Sequence, residues 1–143
     1  MKPLPHLYSA RIAGGPAGYA TLSSSGVPDL RTAAPLDFDG PGDAWSPEQL
    51  LLAAVESCFL LTFRSVAQAS RLEFVSLSVE AEGVVDRVNG VTRFTEIVLR
   101  PRMAMPAGTD RVRVQRALEK AERACLVSSS LDTRIRLEPE ITG

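Results

Sequence analysis

Cys58 and Cys125 are the only two thiols in the chain, and each falls in a run with helical spacing, on a face that should be buried. Cys58 lies in Ser46-Pro47-Glu48-Gln49-Leu50-Leu51-Leu52-Ala53-Ala54-Val55-Glu56-Ser57-Cys58-Phe59-Leu60-Leu61-Thr62-Phe63, and Cys125 closes Ala117-Leu118-Glu119-Lys120-Ala121-Glu122-Arg123-Ala124-Cys125. A thiolate attacks electrophilic oxygen or sulfur. Oxidation by a peroxide leaves a sulfenic acid, which a second thiol within reach condenses with to a disulfide. Cys58 sits in mid-helix with neither a cation nor a helix N-terminus in its sequence neighbourhood, so any activating group must arrive from a distant segment or another chain. Cys125 lies towards the C-terminal end of its run, where the helix dipole disfavours a thiolate, which makes it a better resolving partner than attacker. Beside this redox reading stands a plainer one, because free cysteine is among the most buried residue types and often only fills a core.

Two carboxylates accompany the first thiol. Glu48 is ten residues before Cys58, about 15 Å along a helix, so it cannot touch Cys58 of its own chain. In an antiparallel pairing of two copies it could approach the other Cys58; otherwise it complements the dipole of the first helical turn. Glu56 needs a partner or an outward direction, since burying an unpaired carboxylate is costly. Metal binding is a poor expectation: the sole histidine, His6, lies in a Pro-flanked segment, and no Cys-x-x-Cys or His-x-x-x-His spacing occurs.

The composition narrows the setting for this chemistry. At 143 residues and 45% hydrophobic content, one domain over 1–143 is expected, able to bury roughly two-thirds of its extended surface without staples. Sixteen basic residues against seventeen acidic ones, with no basic stripe and no aromatic and basic interleaving along the sequence, make nucleic acid and anionic membranes poor partners. The first residues show no secretory signal. The apolar run Leu50–Phe63 falls short of a membrane span. A cytoplasmic location follows as the expectation, and in a reducing cytosol a cysteine pair is more often catalytic, sensing or metal-binding than a permanent crosslink.

Several elements must position the thiols. Tyr8–Ile12 and Tyr19–Leu22 are strand-like runs around the hairpin connection Gly14-Gly15-Pro16-Ala17-Gly18, and a third run covers Leu30–Ala34. The Pro-, Gly- and Asp-rich segment Pro35–Ala44 is a loop. Ser46, Pro47 and Gln49 form a capping-box start for a helix over Pro47–Gln68, apolar nearly all round and therefore covered on most faces, by a sheet and by a second subunit. Val75–Glu82 alternates like a strand with one wet face. Asn89-Gly90 is a tight turn into Val91–Met105, with Arg93, Thr95, Ile97 and Leu99 on one face, Phe94 and Val98 on the other, and Pro101 and Pro106 marking an edge or exit. Thr109 and Asp110 cap a second helix carrying Val114, Ala117, Leu118, Ala121 and Cys125 inward; Thr133–Glu138 is a last strand. The class is α+β, in the order β-β-β-α-β-β-α-β, with a long central helix on an antiparallel sheet.

In the two cysteine contexts, Ser46 to Phe59 and Ala121 to Leu131, the chain resembles the OsmC/Ohr family of osmotically inducible and organic hydroperoxide resistance proteins, and the element order fits over essentially the whole chain. The resemblance implies an intertwined homodimer with the central helices in the middle and sites at the interface. It implies thiol-dependent reduction of small organic hydroperoxides, an oxidoreductase activity, with Cys58 peroxidatic, Cys125 resolving, and a dithiol such as a lipoyl group or lipoylated protein as reductant and no bound cofactor. It also implies that Glu48 orients an essential arginine. Family members place that arginine in the first hairpin loop or before the central helix; here Gly14–Gly18 and Leu36–Gly40 contain none, and Arg31 and Arg11 on neighbouring strands are the candidates to replace it. The alternative is a non-peroxidatic module of the same fold that binds a small hydrophobic or thiol-bearing ligand at the dimer interface.

Overall fold

Ser46 and Gln49 cap each other at the start of the longest helix: the Ser46 amide donates to Gln49 Oε1 at 3.0 Å, and the Gln49 amide to Ser46 Oγ at 3.2 Å. This reciprocal box satisfies two first-turn donors and fixes where α1 (Pro47–Ala69) begins. The computed structural model describes residues 1–143 and divides into two units, Met1–Leu50 and Leu51–Gly143.

In the first unit, β1 (Arg11–Ala13), β2 (Ala20–Ser23) and β3 (Leu30–Thr32) form an antiparallel sheet in sequence order. These strands are shorter than the apolar runs that announce them, because pairing extends only from Arg11↔Ser23 to Ala13↔Thr21 and from Ala20↔Thr32 to Leu22↔Leu30. The expected loop Pro35–Ala44 holds one turn of 3₁₀ helix, Leu36–Phe38, which ends on a left-handed Asp39. Arg31 stacks over the Tyr19 ring, 4.2 Å from its centroid, and donates to the Asp43 backbone carbonyl at 3.2 Å, while the Asp43 carboxylate accepts from the Tyr19 hydroxyl at 2.7 Å.

The second unit is built on β4 (Ser76–Val88) and β5 (Val91–Ala104). Asn89 and Gly90 both have positive φ, 51° and 79°, which is what a two-residue hairpin turn with the strands' own twist requires. Helices α2 (Arg111–Ala124) and α3 (Leu126–Ser129) then lead back to β6 (Arg134–Leu137) and β7 (Glu140–Thr142). β6 and β7 both run parallel to β5, so the sheet is mixed and not the antiparallel one expected. The helical crossover is the reason, since a helix between neighbouring strands returns the chain in the original direction.

Two further expectations differ from the structure. Pro101 is buried inside a central strand, not at an edge. It is tolerated because the neighbouring strand is itself interrupted there: β6 pairs as far as Leu99↔Leu137 and β7 resumes at Arg102↔Glu140, so the missing Pro101 amide falls at the step between them. Phe94 faces the same side as Ile97 and Leu99, not the opposite one. The ladder pairs Val84 with Glu96 and Val85 with Phe94, and this bulge at Thr95 reverses the alternation.

The core joins the sheet face of Leu77, Val79, Ala81, Phe94, Ile97, Leu99 and Met103 to Val55, Phe59, Phe63 and Ala67 of α1 and to Val114, Ala117, Leu118 and Ala121 of α2. Gly83 lets α1 come close: a Cβ there would stand 2.5 Å from the Phe94 ring and 3.1 Å from Leu52. At 23 residues, α1 is by length and composition alone long and apolar enough to cross a membrane, which corrects the expectation drawn from the shorter run Leu50–Phe63. Its Val55–Ala67 stripe, one residue every four, is packed on the sheet at 2% exposure or less. Other apolar positions on α1, with Leu61 the extreme at 55%, stay open in the single chain. On the outer sheet face, Arg100 pairs with Glu82 and Glu138, Arg102 with Glu140, and Arg136 with Glu96 and Glu138.

Candidate active site

Cys58 lies near the middle of α1, one residue before the fully buried Phe59, and is itself partly buried. Its Sγ is 3.9 Å from Thr62 Oγ1, one turn further along. Cys125 is fully buried. It stands between two helices: it ends α2 and caps α3, with extended backbone at φ −68° and ψ 114°. The expected helix running through Cys125 is therefore interrupted at that residue. The interruption matters because an uninterrupted helix would spend the following amides on internal hydrogen bonds, whereas the first amides of a new helix have no partner inside it.

Those amides turn to Cys58. Burial pushes the Cys58 thiol up, but the Val127 amide, the Cys125 thiol, the Thr62 hydroxyl and the Leu126 amide around its sulfur outweigh it and hold Cys58 below the ordinary cysteine value. Burial also raises Cys125, and the neighbouring Cys58 raises it further; the Ser128 residue beside it offsets this only in part. The Ser128 hydroxyl is buried and has no close polar partner of its own. Two free thiols thus face each other, the first biased towards thiolate and the second towards thiol. The asymmetry expected from helix position is present, but the groups that activate Cys58 are all uncharged donors.

The fold brings Cys58 and Cys125 together, and Glu48 stays two to three turns away on the same helix. One carboxylate oxygen of Glu48 is buried without any hydrogen-bond partner. Such an atom is costly unless something outside the chain meets it. Glu56 is pushed above the ordinary carboxylate range by burial and then by the Glu80 carboxylate, with no cation paired to it. Sequence reasoning missed Thr62, Leu126, Val127 and Ser128. The signal was present in Val127-Ser128-Ser129-Ser130, a run of weak helix formers straight after Cys125.

Alkylation of the two thiols by iodoacetamide should follow these biases. Cys58 should react with a midpoint below the ordinary thiol range and Cys125 with one above it. Leu126→Pro removes one donor at little structural cost, because Leu126 is the first residue of α3 and Cys125 already has the extended backbone that a following proline demands. The Cys58 midpoint should rise in that variant; an unchanged midpoint would show that the Leu126 amide does not stabilise the thiolate.

Known proteins share this architecture. The family model described as OsmC-like protein matches residues 40–140. The uncharacterized protein YmaD of Bacillus subtilis strain 168 is 32% identical over 109 residues, 74% of this chain and 73% of that one. An OsmC-like protein of unknown function from Vibrio cholerae superposes with a TM-score of 0.87 at 20% identity, covering 94% of this chain and 99% of that one. An organic hydroperoxide resistance protein from Elizabethkingia anophelis, with crystallant-derived thiocyanate bound, gives 0.79 at 23% identity, covering 100% and 99%.

Proposed function

The chain belongs to the OsmC-like protein family, and from that premise we propose that it reduces small organic hydroperoxides with Cys58 and Cys125, as a homodimer regenerated by a dithiol. The observation that carries this reading is the opposed bias of two facing thiols, Cys58 lowered and Cys125 raised. The Cys58 thiolate attacks the terminal peroxide oxygen, the O–O bond breaks, and the peroxide's own hydrogen ends on the departing alcohol. Cys58 is left as a sulfenate. Cys125 then attacks that sulfur, hydroxide leaves, and a disulfide forms. An external dithiol supplies the two electrons that restore both thiols and becomes a disulfide itself.

The uncovered apolar positions of α1 and the partnerless oxygen of Glu48 support the homodimer, in which a second copy covers the helix and meets that carboxylate. The absence of any cation among the groups acting on Cys58 favours a second reading, a binding module of the same fold for a hydrophobic or thiol-bearing ligand. Intact mass and free-thiol count after one equivalent of cumene hydroperoxide separate the two. Loss of about 2 Da with both thiols consumed is the expected result. Survival of both thiols would overturn the peroxidase and leave the binding module.

A further inference from the structure

Three serines follow Leu126 and Val127, and their hydroxyls meet different fates. Ser129 is exposed to water, and Ser130 donates to the Leu126 carbonyl at 2.9 Å. Such a bond to a carbonyl three or four residues back is the usual outlet for a serine in or beside a helix; Ser57 makes it to Ala54 and Ser70 to Val66. Ser128 makes none. The residue is 8% exposed, and its Oγ is buried without a hydrogen-bond partner. The break at Cys125 takes the usual acceptors away: the carbonyl four residues back belongs to Ala124 at the end of α2, and the Cys125 carbonyl accepts from the Ser129 amide at 2.9 Å.

A buried hydroxyl left unpaired destabilises the state that holds it. Cys125 is the N-cap of α3 and Ser128 its third residue, two positions whose side chains share one side of a helix start. The Cys125 sulfur is fully buried there with Ser128 beside it. Of the groups that act on this sulfur, Cys58 on α1 is titratable and Ser128 on α3 is uncharged. A neutral thiol is a weak acceptor, whereas a thiolate is a charged one and binds a hydroxyl far more strongly. The Ser128 hydroxyl therefore lacks a good partner while Cys125 is protonated and gains one when Cys125 ionises.

We propose that Ser128 is a positioning residue for the resolving step, its hydroxyl kept unbonded for the thiolate that Cys125 becomes; this rests on the proposed peroxidase reading. In that step the Cys125 proton passes to the oxygen of the Cys58 sulfenate, which becomes a sulfenic acid. The Ser128 hydroxyl donates to the thiolate so formed and keeps its own proton. The thiolate attacks the Cys58 sulfur, the S–O bond breaks with its electron pair, and hydroxide departs as the S–S bond forms. The disulfide carries no charge, so the hydroxyl is released once the step is complete. The first oxidation involves Cys58 alone and makes no use of Ser128.

Ser128→Ala removes the hydroxyl without breaking a hydrogen bond, so its melting temperature should equal or exceed that of wild type. In Cys58→Ser, Cys125 is the one remaining thiol, and the carbon NMR shift of its labelled Cβ follows its ionisation without a reagent having to reach it. Adding Ser128→Ala to that background should raise the Cys125 midpoint by about one pH unit. With both thiols present, rapid mixing with cumene hydroperoxide should give an unchanged first oxidation and a resolving step slowed about threefold below that midpoint. The thiolate fraction falls about tenfold, and the greater nucleophilicity of a more basic thiolate restores part of the loss. An unmoved Cys125 midpoint overturns the proposal, and so does a raised midpoint with undiminished resolution. Failure of the peroxide to oxidise Cys58 in wild type overturns the peroxidase reading and the resolving role with it, and the NMR midpoint alone then decides whether Ser128 stabilises the Cys125 thiolate.

Discussion

Cys58→Ser is expected to reduce hydroperoxide consumption to the uncatalysed background, whereas Cys125→Ser should consume about one equivalent per site and then stop, because the first oxidation needs only one thiolate. A serine hydroxyl cannot replace Cys58, since surroundings that lower a thiol still leave the far less acidic hydroxyl protonated. The rate of the first oxidation should rise with pH and level off below the ordinary thiol range, because Cys58 is held below that range and only its thiolate reacts. Stopped-flow consumption of cumene hydroperoxide across pH 5 to 10 measures both. Turnover that survives in Cys58→Ser, or a plateau above the ordinary thiol range, would refute the assignment of Cys58 as attacker.

Phe59→Ala should be the most damaging single change to stability. Phe59 is fully buried next to Cys58, within the stripe Val55, Phe59, Phe63 and Ala67 that seats α1 on the sheet. Removing a buried phenyl ring costs about 3–5 kcal/mol, a large part of the roughly 5–15 kcal/mol that holds a typical domain folded. Thermal denaturation should show a drop on the order of 10 °C or more. Leu61, 55% exposed two residues away, is the control: truncating it should cost well under 1 kcal/mol in the isolated chain. If Leu61→Ala instead destabilises as much as Phe59→Ala and the loss depends on protein concentration, the open face of α1 is covered by a second copy.

Much of the architecture was legible because the relevant physics is local. The Ser46–Gln49 box, the Asn89-Gly90 turn and the Asp110 cap of α2, whose carboxylate accepts from the Val112 amide at 3.0 Å, each depend on residues within a few positions of one another. The two thiols were legible as a candidate pair because nothing else in the chain offers a nucleophile of that kind, and their opposite inclinations followed in part from where each lies along its helix.

What could not be read depended on contacts between segments far apart in sequence. A one-residue bulge at Thr95 turns Phe94 inward, and period-two spacing carries no mark of it. Pro101 sits safely in a central strand only because Glu138-Pro139 breaks the neighbouring one at the same level. The same is true of the site. The sequence by itself determined that Cys58 and Cys125 are inward-facing thiols on two amphipathic segments, since side-chain period follows from local backbone geometry. Only the tertiary structure decided that α2 stops at Cys125, so that the amides of Leu126 and Val127 are free to lower a thiol nearly seventy residues earlier. An interaction of that kind belongs to neither segment until both are folded.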